Sequence, residues 1–210
     1  KRKVLKDVAK HMEVISKGHL VMDAYHFFMT LQKKKPMSNA YTEKYYDSFL
    51  QDLPGDYKTA RWFSSPASKL DFEQTKQVIA DALRGVHASR TLEVGPGDGV
   101  WTDLIIPKTD SLTLLDQSEE MIKRAQERLA KENPSIIFVH SDFAEYQPEA
   151  PFDLICGIRC FEYFEDQAKA VKKMYSMLNP GGQLVIVTKN PAHIHNKQSQ
   201  QRELHVGQIS

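Results

Sequence analysis

Two carboxylates and three glycines stand close enough together in this sequence to suggest chemistry. Gly95, Gly97 and Gly99 lie within TLEVGPGDGVWTDLI, residues 91–105, with Glu93 just before the bend they allow and Asp98 inside it. A glycine backbone lacks a Cβ, so it can turn at positive φ and come close to a ligand. In an open α/β sheet, ligands settle outside the carboxyl ends of the strands where the strand order reverses, and the turn after the first strand lies at that crevice. A dinucleotide site would carry G-x-G-x-x-G so that a pyrophosphate reaches a helix amino terminus; five positions after Gly95 stands Val100. A phosphate-binding loop ending in G-K-S/T is also missing here. The two acids would repel a pyrophosphate and suit a ligand carrying an ammonium group or hydroxyls.

The elements that must position this turn are legible from periodicity. TLEV, SLTLLD, IIFVH, FDLICG and QLVIVT read as short apolar strands. DGVWTDLII, EEMIKRAQERLAKE and QAKAVKKMYSML, lying between them, read as helices. Such alternation implies parallel strands joined by crossovers, covered on both faces. The fold expected is α/β, a three-layer sandwich on a mainly parallel five-stranded sheet. Ahead of it, FEQTKQVIADALRGV reads as a helix with Val78, Ile79, Ala82 and Leu83 on one face, ending at Gly85. QDLPGDYKTARWFSSPASKLDF, with its Pro, Gly and Ser, reads as loop. AYTEKYYDSFL (40–50) reads as a short helix, and Val4, Leu5, Val8, Met12 and Ile15 begin one or two amphipathic helices over 3–32, interrupted near Gly18.

EVGPGDG resembles the first motif, E/D-x-G-x-G-x-G, of the class I S-adenosylmethionine-dependent methyltransferases, whose fold is Rossmann-like. Four later segments resemble the family's motifs in order: LLDQSEEMI, VHSDFAEY, FDLICGIRCFEYFED and MLNPGGQLVIVTKN. The resemblance covers about residues 40–191. It implies S-adenosylmethionine as cofactor and S-adenosylhomocysteine as product. It also implies a binding set of Glu93, Gly95, Pro96, Gly97, Asp98 and Gly99 at the first turn, with Asp116, Gln117 and Met121 at the end of the second strand. Asp116 would bind both ribose hydroxyls and stands 19 positions after Gly97. Ser141, Asp142 and Phe143 would meet the adenine, with Asp142 accepting from its amino group, and Gly157 would lie at the fourth strand. Two carboxylates suit vicinal hydroxyls through charge-assisted hydrogen bonds. On its own, Asp116 reads equally as a strand-end or helix-capping residue beside Ser118 and Glu119.

Methyl transfer from a sulfonium needs mainly alignment, and positioning can contribute roughly 7–11 kcal/mol. A base is required only for an unactivated acceptor. The loop GIRCFEYFED would border the methyl group, which makes Arg159, Glu162 and Tyr163 the candidates for substrate contact or proton handling. The alternative reading packs Phe161 and Phe164 and uses Glu162 and Asp166 at a helix start. His140 reads as a satisfied near-core residue. Tyr45, Tyr46, Tyr57 and Arg61 belong to a segment resembling the family's lid, with Tyr57 within reach of the methionine carboxylate; the alternative is that these aromatics anchor the lid.

Absences narrow the acceptor. The fourth strand runs into CGIRCF, with no Pro-Pro-Tyr motif of exocyclic-amine nucleic acid methylation, which argues against a base-flipping enzyme. Cys160 lacks the Pro-Cys context of pyrimidine C5 methylation and reads as a packed thiol. Cys156 and Cys160 are the only cysteines in the sequence and match no zinc spacing, so no metal is assigned. The acceptor class left is a small molecule or a lipid- or carrier-linked group; the competing reading is a noncatalytic cofactor-binding module.

Residues 1–36 carry nine Lys or Arg against three Asp or Glu, so this segment bears +6 and the remainder minus 5, which together make the net +1. The expected division is a basic helical extension over 1–38, a lid and leading helix over 39–85, a Rossmann-like core over 86–191 and a polar tail over 192–210. The extension could pair with a second copy or join an upstream domain. No apolar run is long enough for a membrane span, and no signal peptide opens the chain, so the cytoplasm is the expected compartment. The lack of an initial Met and the short tail after QLVIVT carry the expectation of further chain at both ends, with the sheet truncated at its carboxyl side.

Overall fold

The computed structural model describes residues 56–129 and 135–188. The helices expected over 3–32 and 40–50, with Tyr45 and Tyr46, and the tail over 192–210 lie outside the described residues. Five strands form one sheet: β1 (Ala88–Val94), β2 (Thr109–Asp116), β3 (Ile136–His140), β4 (Phe152–Ile158) and β5 (Leu178–Val187). They run in the order β3-β2-β1-β4-β5, and all four neighbouring pairs are parallel. The order reverses between β1 and β4, and a crevice must therefore open beyond their carboxyl ends.

Helices α1 (Tyr57–Trp62), α2 (Pro66–Ala82), α3 (Thr102–Ile105), α4 (Glu119–Leu129) and α5 (Gln167–Ser176) flank the sheet. On one face Ile79 of α2, Leu83 just after it, Ile105 of α3, and Ala125 and Leu129 of α4 pack on Leu112, Leu114, Leu154 and Cys156. On the other, Ala170, Val171 and Met174 of α5 pack on Leu92, Val94, Leu115 and Ile155. Period-two alternation along the strands divides these sets. It sends Leu92 and Val94 to the α5 face and Thr91 and Glu93 to the other.

The segment expected to be loop holds α1 and the start of α2. Asp56 caps α1, accepting from the backbone N–H of Thr59 at 3.1 Å. Ser65 caps α2, accepting from Ser68 N–H at 3.1 Å, with Pro66 in the first turn. Side-chain acceptance at the cap and a proline whose missing N–H is not needed there are ordinary helix-start chemistry. The buried face of α2 is Phe72, Thr75 and Ile79, continued by Leu83, while Ala82 is exposed. The helix expected over DGVWTDLII shrinks to α3 followed by a 3-10 turn at Ile106–Lys108. Gly99 at φ 83° and Pro107 limit it on either side. No helix among the described residues is long and apolar enough to cross a membrane.

Candidate active site

A cleft of about 1040 Å³, counting its open mouth, lies at the carboxyl ends of β1, β2 and β4 under α1. Its floor is the glycine turn. Gly95, Gly97 and Gly99 have φ of 66°, 59° and 83°, which L side chains enter only at a cost of about 1–2 kcal/mol. The three do different work. A Cβ on Gly95 would stand 2.6 Å from Cys160 Cβ, and one on Gly99 2.6 Å from Leu129 Cδ1. A Cβ on Gly97 would find only Met121 Sδ, at 4.0 Å. Gly95 and Gly99 are packing glycines, and Gly97 faces open cleft.

Asp116 ends β2 directly beside this turn. Its Oδ2 accepts from Gly97 N–H at 3.1 Å and its Oδ1 from Ser118 N–H at 3.0 Å. Burial pushes its carboxyl upward, opposed by the N–H groups of Ser118 and Gly97. Ser118 then caps α4, accepting from Met121 N–H at 3.2 Å. Asp116 thus orders the strand-to-helix turn, as the capping reading expects, and also lines the cleft. Pro96, Asp98, Gln117 and Met121 line the same wall. Asp98 is buried, which raises its pKa against the nearby Arg128 guanidinium, and its Oδ1 accepts from Val100 N–H at 3.3 Å. Ser141, Asp142 and Phe143 form the far wall after β3. There Asp142 Oδ1 holds its own turn through Ala144 N–H at 2.7 Å, and Phe143 packs edge-on against Phe164 at 5.3 Å between centroids.

Helix α1 roofs the cleft. Tyr57 lines it and is 9% exposed; burial pushes its phenol well above the ordinary value, so it stays protonated and can only donate or pack at neutral pH. Arg61 follows one turn later, its guanidinium 4.3 Å from the Trp62 ring centroid. Trp62 stands edge-on to Trp101 at 5.0 Å, and Phe72 stacks on Trp101 at 4.9 Å. Tyr57, Trp62 and Trp101 line the cleft, and Phe72 packs behind Trp101.

Some residues expected at the ligand stand away from the cleft. Glu93 points into the α3 face of the sheet, where Oε2 accepts from Thr102 Oγ1 at 2.6 Å and Oε1 is buried without a partner. Gly157 faces Cys160 Sγ and Met174. Glu162 is turned outward to Thr188 Oγ1, which donates to Oε2 at 2.9 Å, and does not line the cleft. Tyr163 does line it. Arg159 lines it too, but its guanidinium is committed: Nη1 and Nη2 donate to the two oxygens of Asp71 at 2.7 and 3.0 Å. A guanidinium held this way carries no proton in a reaction. Arg159 also has φ 57°, the one positive φ of a non-glycine among the described residues, and a buried Nε without a partner. Those features cost about 1–2 and 1–3 kcal/mol. His140 is exposed, not near the core, and pairs with Gln117 O at 3.1 Å. Phe161 is buried and Asp166 caps α5, as the packing alternative expected.

Trp62, Trp101, Cys160 and Ser118 line the cleft and were not singled out for it. The Ser65-Pro66 pair was the signal for the roof, since it marks a helix start and places Trp62 in the preceding turn. Cys160, whose thiol burial pushes up, donates to Val94 O at 3.0 Å and fills the space that the missing Gly95 Cβ leaves.

A family model for a methyltransferase domain matches residues 91–182, from β1 to the turn within β5. The comparisons thus support, over these residues, the resemblance to the class I S-adenosylmethionine-dependent methyltransferases. The chain is 33% identical over 134 residues to malonyl-acyl-carrier-protein O-methyltransferase 1 of Ilyobacter polytropus, covering 60% of the chain and 50% of the relative. It is 34% identical over 120 residues to nodulation protein S of Rhizobium tropici, covering 56% and 50%. The chain thus spans about half the length of these curated relatives. Among solved structures, N-methyltransferase NodS from Bradyrhizobium japonicum WM9, in complex with S-adenosylhomocysteine, aligns with a TM-score of 0.55 at 28% identity, covering 67% of this chain and 71% of that one.

The orphan Glu93 oxygen has a consequence for stability. Burial raises its carboxyl from an ordinary 4.5 to about 7, against the Thr102 hydrogen bond. Between those values the native state binds more protons than the unfolded chain, so stability falls as pH rises from about 4.5 to about 7. The full effect is on the order of a few kcal/mol and is complete above pH 7. Glu93→Gln keeps an acceptor for Thr102 and removes the titration. Urea midpoints measured across that range are expected to slope downward in the natural chain and to lie flatter in the variant.

Proposed function

We propose that the cleft binds S-adenosylmethionine and that the chain transfers its methyl group to a small-molecule or carrier-linked acceptor. The carrying observation is the hydrogen bond from Gly97 N–H to Asp116, which sets an open glycine backbone and a half-buried carboxylate side by side on one wall. The donor set fits the ligand: acid without a phosphate cradle, a backbone that a Cβ would encroach on, and an aromatic opposite. In this reading Asp116 accepts from the ribose hydroxyls, Asp142 from the adenine amino group, and Phe143 and Met121 border the base. Gly95, Pro96, Gly97 and Asp98 lie along the amino acid part, where Tyr57 donates to its carboxylate. Glu93 and Gly99 act through the turn, bracing α3 and α4.

When bound, S-adenosylmethionine supplies a methyl group already activated on a sulfonium. The chain's contribution is alignment and water exclusion: the glycine turn and Asp116 fix one end, and Tyr57, Trp62 and Tyr163 close the other. Tyr163 is the remaining candidate for handling an acceptor proton, because Glu162 faces away and Arg159 is paired. The relatives' names support both acceptor classes without choosing between them, one being an acyl-carrier-protein O-methyltransferase and the other an N-methyltransferase. The residues 39–85 form the lid and 86–191 the core in this reading, residues 1–38 offer a surface for a second copy or an upstream domain, and the setting is cytoplasmic.

Incubation with methyl-tritiated donor and pools of small metabolites or carrier-linked acyl groups is expected to label at least one acceptor. A folded chain that binds the donor and labels nothing across broad pools would instead be a cofactor-binding module.

A further inference from the structure

We propose that Arg159 is a positioning residue: paired with Asp71, it locks the loop after β4 to α1 and α2 and so holds Trp62 and Tyr163 in place along the cleft. The inference rests on the methyl-transfer reading for its consequence and on geometry for its existence.

The pair joins segments 88 residues apart. One end is anchored in the sheet, where Arg159 N–H donates to Val187 O of β5 at 2.7 Å. The other end is α2, where the guanidinium meets both Asp71 oxygens and also donates to Thr75 Oγ1 at 3.1 Å. The Arg159 side chain is 4% exposed and that of Asp71 16%. On its way it lies 5.1 Å from the centroid of the Trp62 ring, which Arg61 also covers at 4.3 Å. Trp62 is thus held by guanidinium groups of the lid and of the loop. A planar fork suits this double task, bidentate to a carboxylate and stacked on an indole, and lysine cannot reproduce it.

Backbone strain tends to persist where the surroundings determine it and function uses it. Arg159 bears a left-handed backbone and an unsatisfied Nε that glycine and a shorter side chain would avoid. A residue that served only to fill the core needs neither. From this left-handed residue the side chain reaches Asp71 of α2, while the chain continues into the 3-10 helix Phe161–Tyr163, which carries Tyr163 to the cleft. One residue therefore sets the distance between the roof and the loop beside the transferred group.

Asp71→Asn strands a buried guanidinium and can unfold the chain, so the deciding variant is Arg159→Lys, which keeps the charge and loses the fork. Hydrogen exchange on the full chain is expected to quicken at least tenfold in Tyr57–Trp62 while β1 and β4 stay protected. Calorimetric affinity for S-adenosylhomocysteine is expected to fall about tenfold. The double variant Asp71→Arg with Arg159→Asp, in which Asp tolerates the left-handed backbone, should recover part of both. Unchanged exchange in Tyr57–Trp62 overturns the clamp whatever the affinity, as does equal quickening throughout the sheet. Quickened exchange with undiminished affinity overturns its role in the cleft. A natural chain that binds no S-adenosylhomocysteine overturns the methyl-transfer reading instead, and the exchange comparison still decides the clamp.

Discussion

Replacing Asp116 with alanine is expected to weaken S-adenosylhomocysteine binding by about 100-fold or more. Each charge-assisted hydrogen bond to a carboxylate contributes roughly 1.5–3 kcal/mol, and two ribose hydroxyls together span about two to four powers of ten. The change also removes the acceptor of Gly97 N–H and Ser118 N–H, so the turn loosens as well as the ligand contact. Asp116→Asn separates these effects: it keeps one oxygen for the backbone but loses the charge, and it should lie between the natural chain and alanine. Calorimetry supplies the affinity, and circular dichroism checks that the sheet survives. Affinity unchanged in both variants would remove Asp116 from the site.

Gly97→Arg is expected to abolish donor binding while leaving a folded chain. The Cβ enters open space, with Met121 Sδ at 4.0 Å as its nearest contact, so the long side chain extends into the cleft and occupies it. The left-handed φ of 59° costs about 1–2 kcal/mol, too little to unfold a domain of ordinary stability. Gly99→Ala is the contrasting control. Its Cβ would press on Leu129 at 2.6 Å, so it should lower the urea midpoint more than Gly97→Arg while affecting affinity less. If Gly97→Arg binds S-adenosylhomocysteine normally, the ligand does not approach that glycine.

The sheet was legible because its strands are short apolar runs separated by polar helices, a pattern that leaves little choice of layer order. The turn was legible for a different reason: three closely spaced glycines have few structural uses, and Asp116 stands at a fixed distance from them. What sequence reading lost was direction. Glu93 sits in the same motif as Gly95, but strand alternation turns its side chain to Thr102, away from the cleft. Arg159 was noticed as a loop residue near the site, yet its partner Asp71 lies in a segment read as loop, so nothing in the sequence revealed that the guanidinium was already engaged. Local turn chemistry misled there too. Pro and Ser in SSPASK suggested a break, when Ser65 and Pro66 together begin α2. The acceptor side was least legible, because the roof is assembled from α1, Trp101 and the loop after β4, which only the tertiary fold brings together.

The central claim is that this cleft holds an adenosyl donor and not a dinucleotide. Titration calorimetry of the natural chain with S-adenosylhomocysteine, and in parallel with NAD, tests it most directly. Saturable one-to-one binding at about 1 μM or tighter is expected for S-adenosylhomocysteine, displaced by S-adenosylmethionine, with no heat from NAD. A folded chain that takes up NAD and leaves S-adenosylhomocysteine unbound would contradict it.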